Sequence, residues 1–314
     1  MIQIRPFLNT DPPALASVIN NCCQIEAPVS ASLLEHAVYS KICFTRDRLL
    51  VATHKNQIVG FVHLGSRYSD DAETSTLTIS NILFPENDVE TATALVRASA
   101  NFAKELGFTR LRIGAPPERA EYYNGISTHF LNVGVPDSHP VLPVLKSIGF
   151  RDVDAWICYR CDPKVVRIPF RREHMLYRRS HEIVQVIEPT FDSIKSNHIF
   201  SHLANSELRL VTRDPASITA RLIYASLSHS YPGWPSGGVD VLGFLPTVKQ
   251  KDNAVYEYLL CELLRQLPDA DMTPLRVHLP ESNVDRIRVI KTLGFAHLIR
   301  SVHIELDLTP VDFT

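Results

Sequence analysis

The chain has 314 residues, more than one ordinary hydrophobic core accommodates and enough for two domains. At 45% hydrophobic and 21% charged residues, its composition is that of a globular protein rather than a disordered one. A net charge of −2 gives no bulk electrostatic attraction to nucleic acid or an anionic membrane, and no apolar run approaches the roughly 20 residues of a spanning helix.

Ile2 to Phe7 alternates as a strand and lacks the basic and apolar regions of an export signal, so a cytoplasmic protein with reduced thiols is expected. Asp11-Pro12-Pro13 opens a helix through Asn20, with Asp11 as candidate N-cap, and Ser30 begins a second helix. Arg48 to Thr53 and Ile58 to Leu64 read as a hairpin around His54–Gln57, and Thr76 to Phe84 as a fourth strand. Between Val89 and Leu106 the apolar positions Ala92, Leu95, Val96, Ala98 and Phe102 fit one helical face, which Gly107 ends. Arg110 to Ile113 is the next strand, followed after a long segment by a helix ending at Ile148 and a strand Ala155–Tyr159. Cys158 and Cys161 have the spacing of half a zinc site. No second pair accompanies them, and residues three apart on a strand point to opposite faces, so no metal is expected.

The basic stretch Arg167 to Arg179 reads as a solvated linker or strand joining two halves, expected as domains 1–165 and 166–314. In the second half Glu188 to Ala204 reads as helical. The strands Glu207–Thr212, Ile218–Ser226 and Gly238–Pro246 follow, then a helix Ala254–Leu267, a strand Leu275–Leu279, a helix Val284–Leu293 and a strand Ser301–Leu306. Val144-Leu145-Lys146-Ser147-Ile148-Gly149-Phe150 returns as Val289-Ile290-Lys291-Thr292-Leu293-Gly294-Phe295, with four of seven positions identical. Upstream of each copy stands a matching strand, Leu111-Arg112-Ile113 and Leu275-Arg276-Val277. Repeated elements in the same order indicate a duplicated domain.

The strand-helix-helix start, the hairpin, a fourth strand closing on Leu83-Phe84-Pro85 or Phe244-Leu245-Pro246, the long helix after it and the Gly-Phe-ended last helix together resemble the GNAT superfamily of acyl-CoA N-acyltransferases, present twice in tandem. The resemblance implies an α/β fold of two domains, each a mixed twisted sheet with splayed strands four and five and flanking helices. It also implies acetyl-CoA as a substrate, its pantetheine arm lying along strand four and its pyrophosphate at the N-terminus of the following helix.

The usual phosphate loop carries Gln or Arg followed by small residues. In the first copy Asp88 stands at the basic position and Thr91 and Thr93 at the small ones, and Asn87 or Asp88 would cap the helix itself. In the second copy Lys249 stands at the basic position, Asp252 at the first small one and Ala254 at the second. The cofactor-binding residues implied are Phe244, Lys249, Lys251, Asn253 and Ala254, with Leu83 on strand four of the first copy.

Acyl transfer to an amine needs a base for the amine proton and a donor at the developing oxyanion. Asp240, on strand four of the second copy with Ile79 as its first-copy counterpart, is the candidate base, and Glu281 after strand five is the second. His63, Tyr122 and Tyr123 are expected at the first cleft's mouth, and Tyr231 to Pro235 offers either a substrate wall or a rigid loop. The tyrosine that many family members use as leaving-group acid is replaced by Leu145 and Ile290. The reading is an acetyl-CoA-dependent N-acetyltransferase acting on a small-molecule or peptide amine, without nucleic acid, membrane or metal. The alternative is a non-catalytic tandem that binds a CoA ester, another metabolite or a protein partner.

Overall fold

A computed structural model describes residues 1–23, 27–65, 75–127, 131–191, 193–246, 253–267 and 272–309. Among these, no helix is long and apolar enough to cross a membrane. The chain divides into two compact units, one of Met1–Trp156, Asp192–His202 and Arg300–Thr314, the other of Ile157–Phe191 and Leu203–Ile299.

The first unit begins with β1 (Gln3–Pro6), α1 (Pro12–Cys22) and a short helix α2 (Ala31–Leu34) that loosens into a π-turn over Glu35–Tyr39. Asp11 does not cap α1. Pro12 and Pro13 offer no amide hydrogens there, and the Asp11 carboxylate instead takes Arg5 at 2.7 and 2.8 Å and the Leu8 amide at 2.8 Å. The hairpin β2 (Leu49–His54) and β3 (Gln57–Leu64) leads to β4 (Thr76–Leu83), α3 (Val89–Glu105) and β5 (Arg110–Ile113). A bridge strand β6 (Val135–Pro136), α4 (Val141–Ser147) and β7 (Arg151–Cys161) complete the first copy of the sequence. Ala92, Leu95, Val96, Ala100 and Ala103 give α3 a buried stripe that packs with Leu77, Ile79, Ile82 and Leu111 of the sheet.

The second copy contributes α5 (Arg172–Ser180), β8 (His181–Ile187), α6 (Ile194–Phe200), β9 (Ala204–Thr212), β10 (Ile218–Ser226) and β11 (Val239–Pro246). It ends with α7 (Asn253–Gln266), β12 (Leu275–Pro280), α8 (Val284–Thr292) and β13 (Ala296–Asp307). Two expectations are corrected here. The basic stretch holds a helix and is followed by an edge strand, β8, which pairs β9 as β1 pairs β2. The helix expected over 188–204 is confined to Ile194–Phe200, because Glu188, at φ 49°, turns the chain and Ala204 already belongs to β9.

Each unit is built on a mixed sheet. In the first the strand order is β1-β2-β3-β4-β5-β13, and in the second it is β8-β9-β10-β11-β12-β7. The pairs β1–β2, β2–β3, β3–β4, β5–β13, β8–β9, β9–β10 and β10–β11 are antiparallel, while β4–β5 and β11–β12 are parallel because a helix crosses between them. The closing strands are exchanged. Ile304–Asp307 of β13, from the end of the chain, pairs with β5, while Ile157, Tyr159 and Cys161 of β7 join the core of the second unit. The units are therefore not the contiguous stretches 1–165 and 166–314, which follow the order of the repeats along the chain.

The repeated Leu-Gly-Phe-type ends fold identically. Phe150 N donates to Leu145 O and Phe295 N to Ile290 O, at 3.2 and 3.0 Å, around Gly149 and Gly294 at positive φ. Both are helix stops of the kind only glycine adopts without strain. Phe150 and Phe295 then anchor the two separate cores.

Candidate functional site

In each unit two parallel strands part at the same place. β4 and β5 pair from Thr76↔Arg110 to Ile79↔Ile113, and β11 and β12 from Val239↔Leu275 to Val241↔Val277. One residue later the fourth strand bulges. Ser80 is skipped in the pairing of β3 with β4, and Leu242 in that of β10 with β11. A bulge sharpens the local twist and carries the strand away from its neighbour. Beyond it, the edge that faced the parallel partner has backbone groups that need another source of hydrogen bonds.

In the first unit the chain itself packs against that strand. A 3-10 turn, Leu131–Val133, packs against both β4 and β5, and the Ala115 amide donates to Asn132 O at 2.9 Å. Leu131 is fully buried among Ile79, Ile82 and Ile113. Asn124 ties the excursion together, donating to Ala120 O at 2.6 Å and accepting from Asn132 Nδ2 at 2.9 Å. The excursion leaves and returns at two glycines in contact: a Cβ on Gly114 would lie 2.8 Å from the Gly134 Cα. The start of α3 is occupied too, since Asp88 accepts from the Thr91 amide at 2.9 Å and from its hydroxyl at 2.7 Å. Leu83 is wholly buried opposite Phe61.

His63, Tyr122 and Tyr123 lie inside this unit rather than at a cleft mouth, each 1% exposed or less. The Tyr123 hydroxyl is 3.1 Å from His63 Nδ1, and Tyr122 meets Cys43 at 3.0 Å. Cys43 also contacts His198 Nε2. Lys41 donates to Glu121 O at 2.6 Å and Ile199 O at 3.2 Å. Burial pushes the Lys41 ammonium down to about 7, with Cys43 and Glu121 pulling the other way. Burial, with Lys41 adding to it, lowers His198 to about 4 and His63 to about 3. These are interior groups, the histidines held neutral, not a site open to a bulky substrate.

The second unit differs at its opening. Phe244, the β11 residue expected against the donor, stands edge-on to Tyr256 at 5.3 Å, and the Arg286 guanidinium of α8 covers both rings at 4.7 and 4.9 Å. The Tyr256 hydroxyl, in the first turn of α7, is buried with no hydrogen-bond partner among the described residues. Asn253 and Ala254 begin α7 and are half-buried. Lys249 and Lys251 lie outside the described residues. A strand edge with no paired strand beyond Val241 among the described residues, a helix start and an orphaned buried hydroxyl fit a long polar ligand such as the arm of a CoA ester.

Asp240 sits one pair before the split. Its counterpart is Thr78, not Ile79, because Val241 and Ile79 are the last paired residues of their strands. Its carboxylate accepts from Arg276 Nε at 2.5 Å, and Arg276 Nη2 also donates to Gly237 O at 2.6 Å. Asp240 is therefore engaged in a buried ion pair. Glu281 lies exposed in the turn after β12, where it helps raise the Tyr159 phenol, an effect led by burial.

His278 is a residue that motif reading missed. It follows Arg276 by two on β12, so both point to the same face, just past the last parallel pair. It is half-buried, and its ring has no hydrogen-bond partner among the described residues. Burial lowers its pKa, Asp240 raises it and Arg276 lowers it, leaving a neutral imidazole at pH 7. The alternation Arg276-Val277-His278 was the available signal. Among the described residues no group of three or more His, Cys, Asp or Glu is arranged to hold a metal.

Twin parallel strands that part at a bulge define the class: the chain has the GNAT fold twice over. In particular, it is similar over 99% of its length, and over 100% of the other chain, to a tandem GNAT protein from the clavulanic acid biosynthesis pathway, with a TM-score of 0.68 at 14% identity. A GCN5-related N-acetyltransferase from Sphaerobacter thermophilus matches 98% of this chain and 96% of its own, with a TM-score of 0.62 at 11% identity. A putative acetyltransferase from Pyrococcus horikoshii matches 98% and 89%, at 0.60 and 13%. No family model and no curated protein sequence matches the chain.

Proposed function

We propose that the chain is an N-acyltransferase that moves an acetyl group from acetyl-CoA to an amine, with 1–165 and 166–314 as the two copies of a duplicated sequence and the second copy's opening as the working site. The observation that carries this reading is the contrast between the openings. The chain's own turn fills the first, whereas the second is bordered by an orphaned Tyr256 hydroxyl and the start of α7.

In this reading Phe244 and the β11 edge take the pantetheine arm, and Lys249, Lys251, Asn253 and Ala254 take the phosphates. The neutral amine attacks the thioester carbonyl, a C–N bond forms, the C–S bond breaks, and CoA leaves as thiolate. His278, held in its neutral form, accepts the amine proton. Asp240 fixes Arg276 and favours protonation of His278, and Glu281 at the strand end attracts a cationic acceptor. No tyrosine acid stands at Ile290. A thiolate is a fair leaving group without one.

Thermal shift with acetyl-CoA, followed by free-thiol release on adding an amine panel, tests the proposal. Stabilisation with thiol release supports it. Stabilisation without release supports the second reading, a tandem that binds a CoA ester without turnover, which the engagement of Asp240 with Arg276 favours. Lys249→Glu should weaken donor binding more than Asp88→Lys changes it, and equal effects count against the choice of repeat.

A further inference from the structure

The first unit contains a polar cavity of about 250 Å³ on the sheet face opposite α3. Its floor is the paired part of β4 and β5, before the split. Thr76, Thr78 and Ser80 alternate along β4, so their side chains share that face, while Leu77 and Ile79 point into the α3 core. None of these three hydroxyls has a hydrogen-bond partner among the described residues, although Ser80 is only 4% exposed. Ser80 is buried and Thr76 and Thr78 are half-buried, so the three line the cavity as a row of hydroxyls open to a polar occupant.

The charge of the walls gives the sign of that occupant. Among the described residues, Arg110, Arg112, Arg119 and Lys195 line the cavity beside two carboxylates, Glu121 and Glu305. Glu305 is shared: it takes Arg110 Nη1 at 3.1 Å and Arg112 Nε at 3.2 Å. One carboxylate thus serves two guanidinium groups, and both terminal nitrogens of Arg112 have no protein partner among the described residues. The Lys195 ammonium likewise has no ion-pair partner there. A guanidinium fork with free terminal nitrogens, an unpaired ammonium and a row of hydroxyl donors match an oxyanion group.

We propose that this cavity is a binding site for a small organic anion, held through a carboxylate or phosphate group by Arg112, Lys195 and the β4 hydroxyls. It is distinct from the acyl-donor opening of the second unit. Bound there, such an anion would link the stability of the first unit to the level of a small acidic metabolite. The second copy lacks the equivalent site, because Asp240 stands where Thr78 does and neutralises Arg276, the counterpart of Arg112. The duplication has therefore placed an anion site in one repeat and an internal ion pair in the other.

The test uses the full chain without acyl-CoA, so its outcome is independent of the acyltransferase proposal. Thermal shift and calorimetry are run with inorganic phosphate, glycerol phosphate, succinate and citrate, each against sodium chloride at matched ionic strength. The expected result is at least one anion binding with a dissociation constant below about 1 mM, the phosphate and carboxylate arms showing which group is preferred. Lys195→Glu should weaken that binding at least tenfold. Thr78→Val, which removes a hydroxyl at constant shape, should weaken it several-fold, and Lys291→Glu, the same charge change on the exposed surface of the second unit, should leave it unaltered. The proposal is overturned if no anion exceeds the chloride control, or if binding survives Lys195→Glu and Thr78→Val unchanged.

Discussion

Asp240 and Arg276 face each other across β11 and β12, one pair before those strands part, with the Arg276 Nε 2.5 Å from the Asp240 carboxylate. Both are at least nine-tenths buried. Two charges taken out of water together depend on each other, and removing one leaves the other desolvated and unpaired. Asp240→Leu should therefore cost about 3 kcal/mol or more of unfolding free energy. The double variant Asp240→Leu with Arg276→Met should recover most of it, as urea denaturation would show. Additive losses in the double variant would mean that the two do not act as a pair.

Asp88 belongs to the first copy and spends its carboxylate on the first turn of α3. Asp88→Ala should lower stability by about 1 kcal/mol, and Asp88→Ser by a few tenths at most. Neither should create an acyl-donor site, since the strand gap beside it holds the turn Leu131–Val133. Chemical denaturation and titration with acetyl-CoA check the two halves of this statement.

The buried histidines set an acid limit. His63, His198 and His202 all have pKa values depressed by burial, His198 to about 4 and His63 to about 3. Their stability contribution is fully present above the unfolded value near 6.5 and is lost as pH falls toward the folded values, because only the unfolded chain takes up protons in that window. The melting temperature should fall steadily from about pH 6.5 to pH 4. His198→Gln should flatten the limb, and an unchanged slope would count against His198 as a contributor.

β5 has its outer neighbour only because β13 returns from the far end of the chain. A chain ending at residue 295 should expose the β5 edge and the core residues Leu111 and Ile113, and be recovered as aggregate. A chain ending at 309, beyond Leu308 of the same core, should be soluble with an unchanged melting curve. Size-exclusion chromatography of the two distinguishes them.

Much of this arrangement was legible in the sequence. The two Gly-Phe helix stops and the hydrophobic periods of α3 and β4 are local signals, and local chemistry decides them. The exchange of closing strands was not legible. Ile157, Tyr159 and Cys161 of β7 and Val302, Ile304 and Leu306 of β13 carry interchangeable apolar alternation, and which sheet each joins is a long-range choice. The filling of the first gap by Leu131–Val133 is likewise non-local. The edge strand His181–Ile187 carries readable alternation but falls between the arginine-rich stretch and the helix expected from Glu188. Asp240 was legible as a carboxylate on strand four. Its partner was hidden, because a carboxylate and a guanidinium 36 residues apart meet only once the parallel register is known.

The central claim is that the second repeat alone offers an acyl-donor opening. A crystal structure of the chain soaked with CoA tests it most directly. The account predicts one CoA per chain, its pantetheine arm against the free edge of β11 beyond Leu242 and its phosphates at the start of α7. CoA lying between β4 and β5, with the Leu131–Val133 turn displaced, would contradict it.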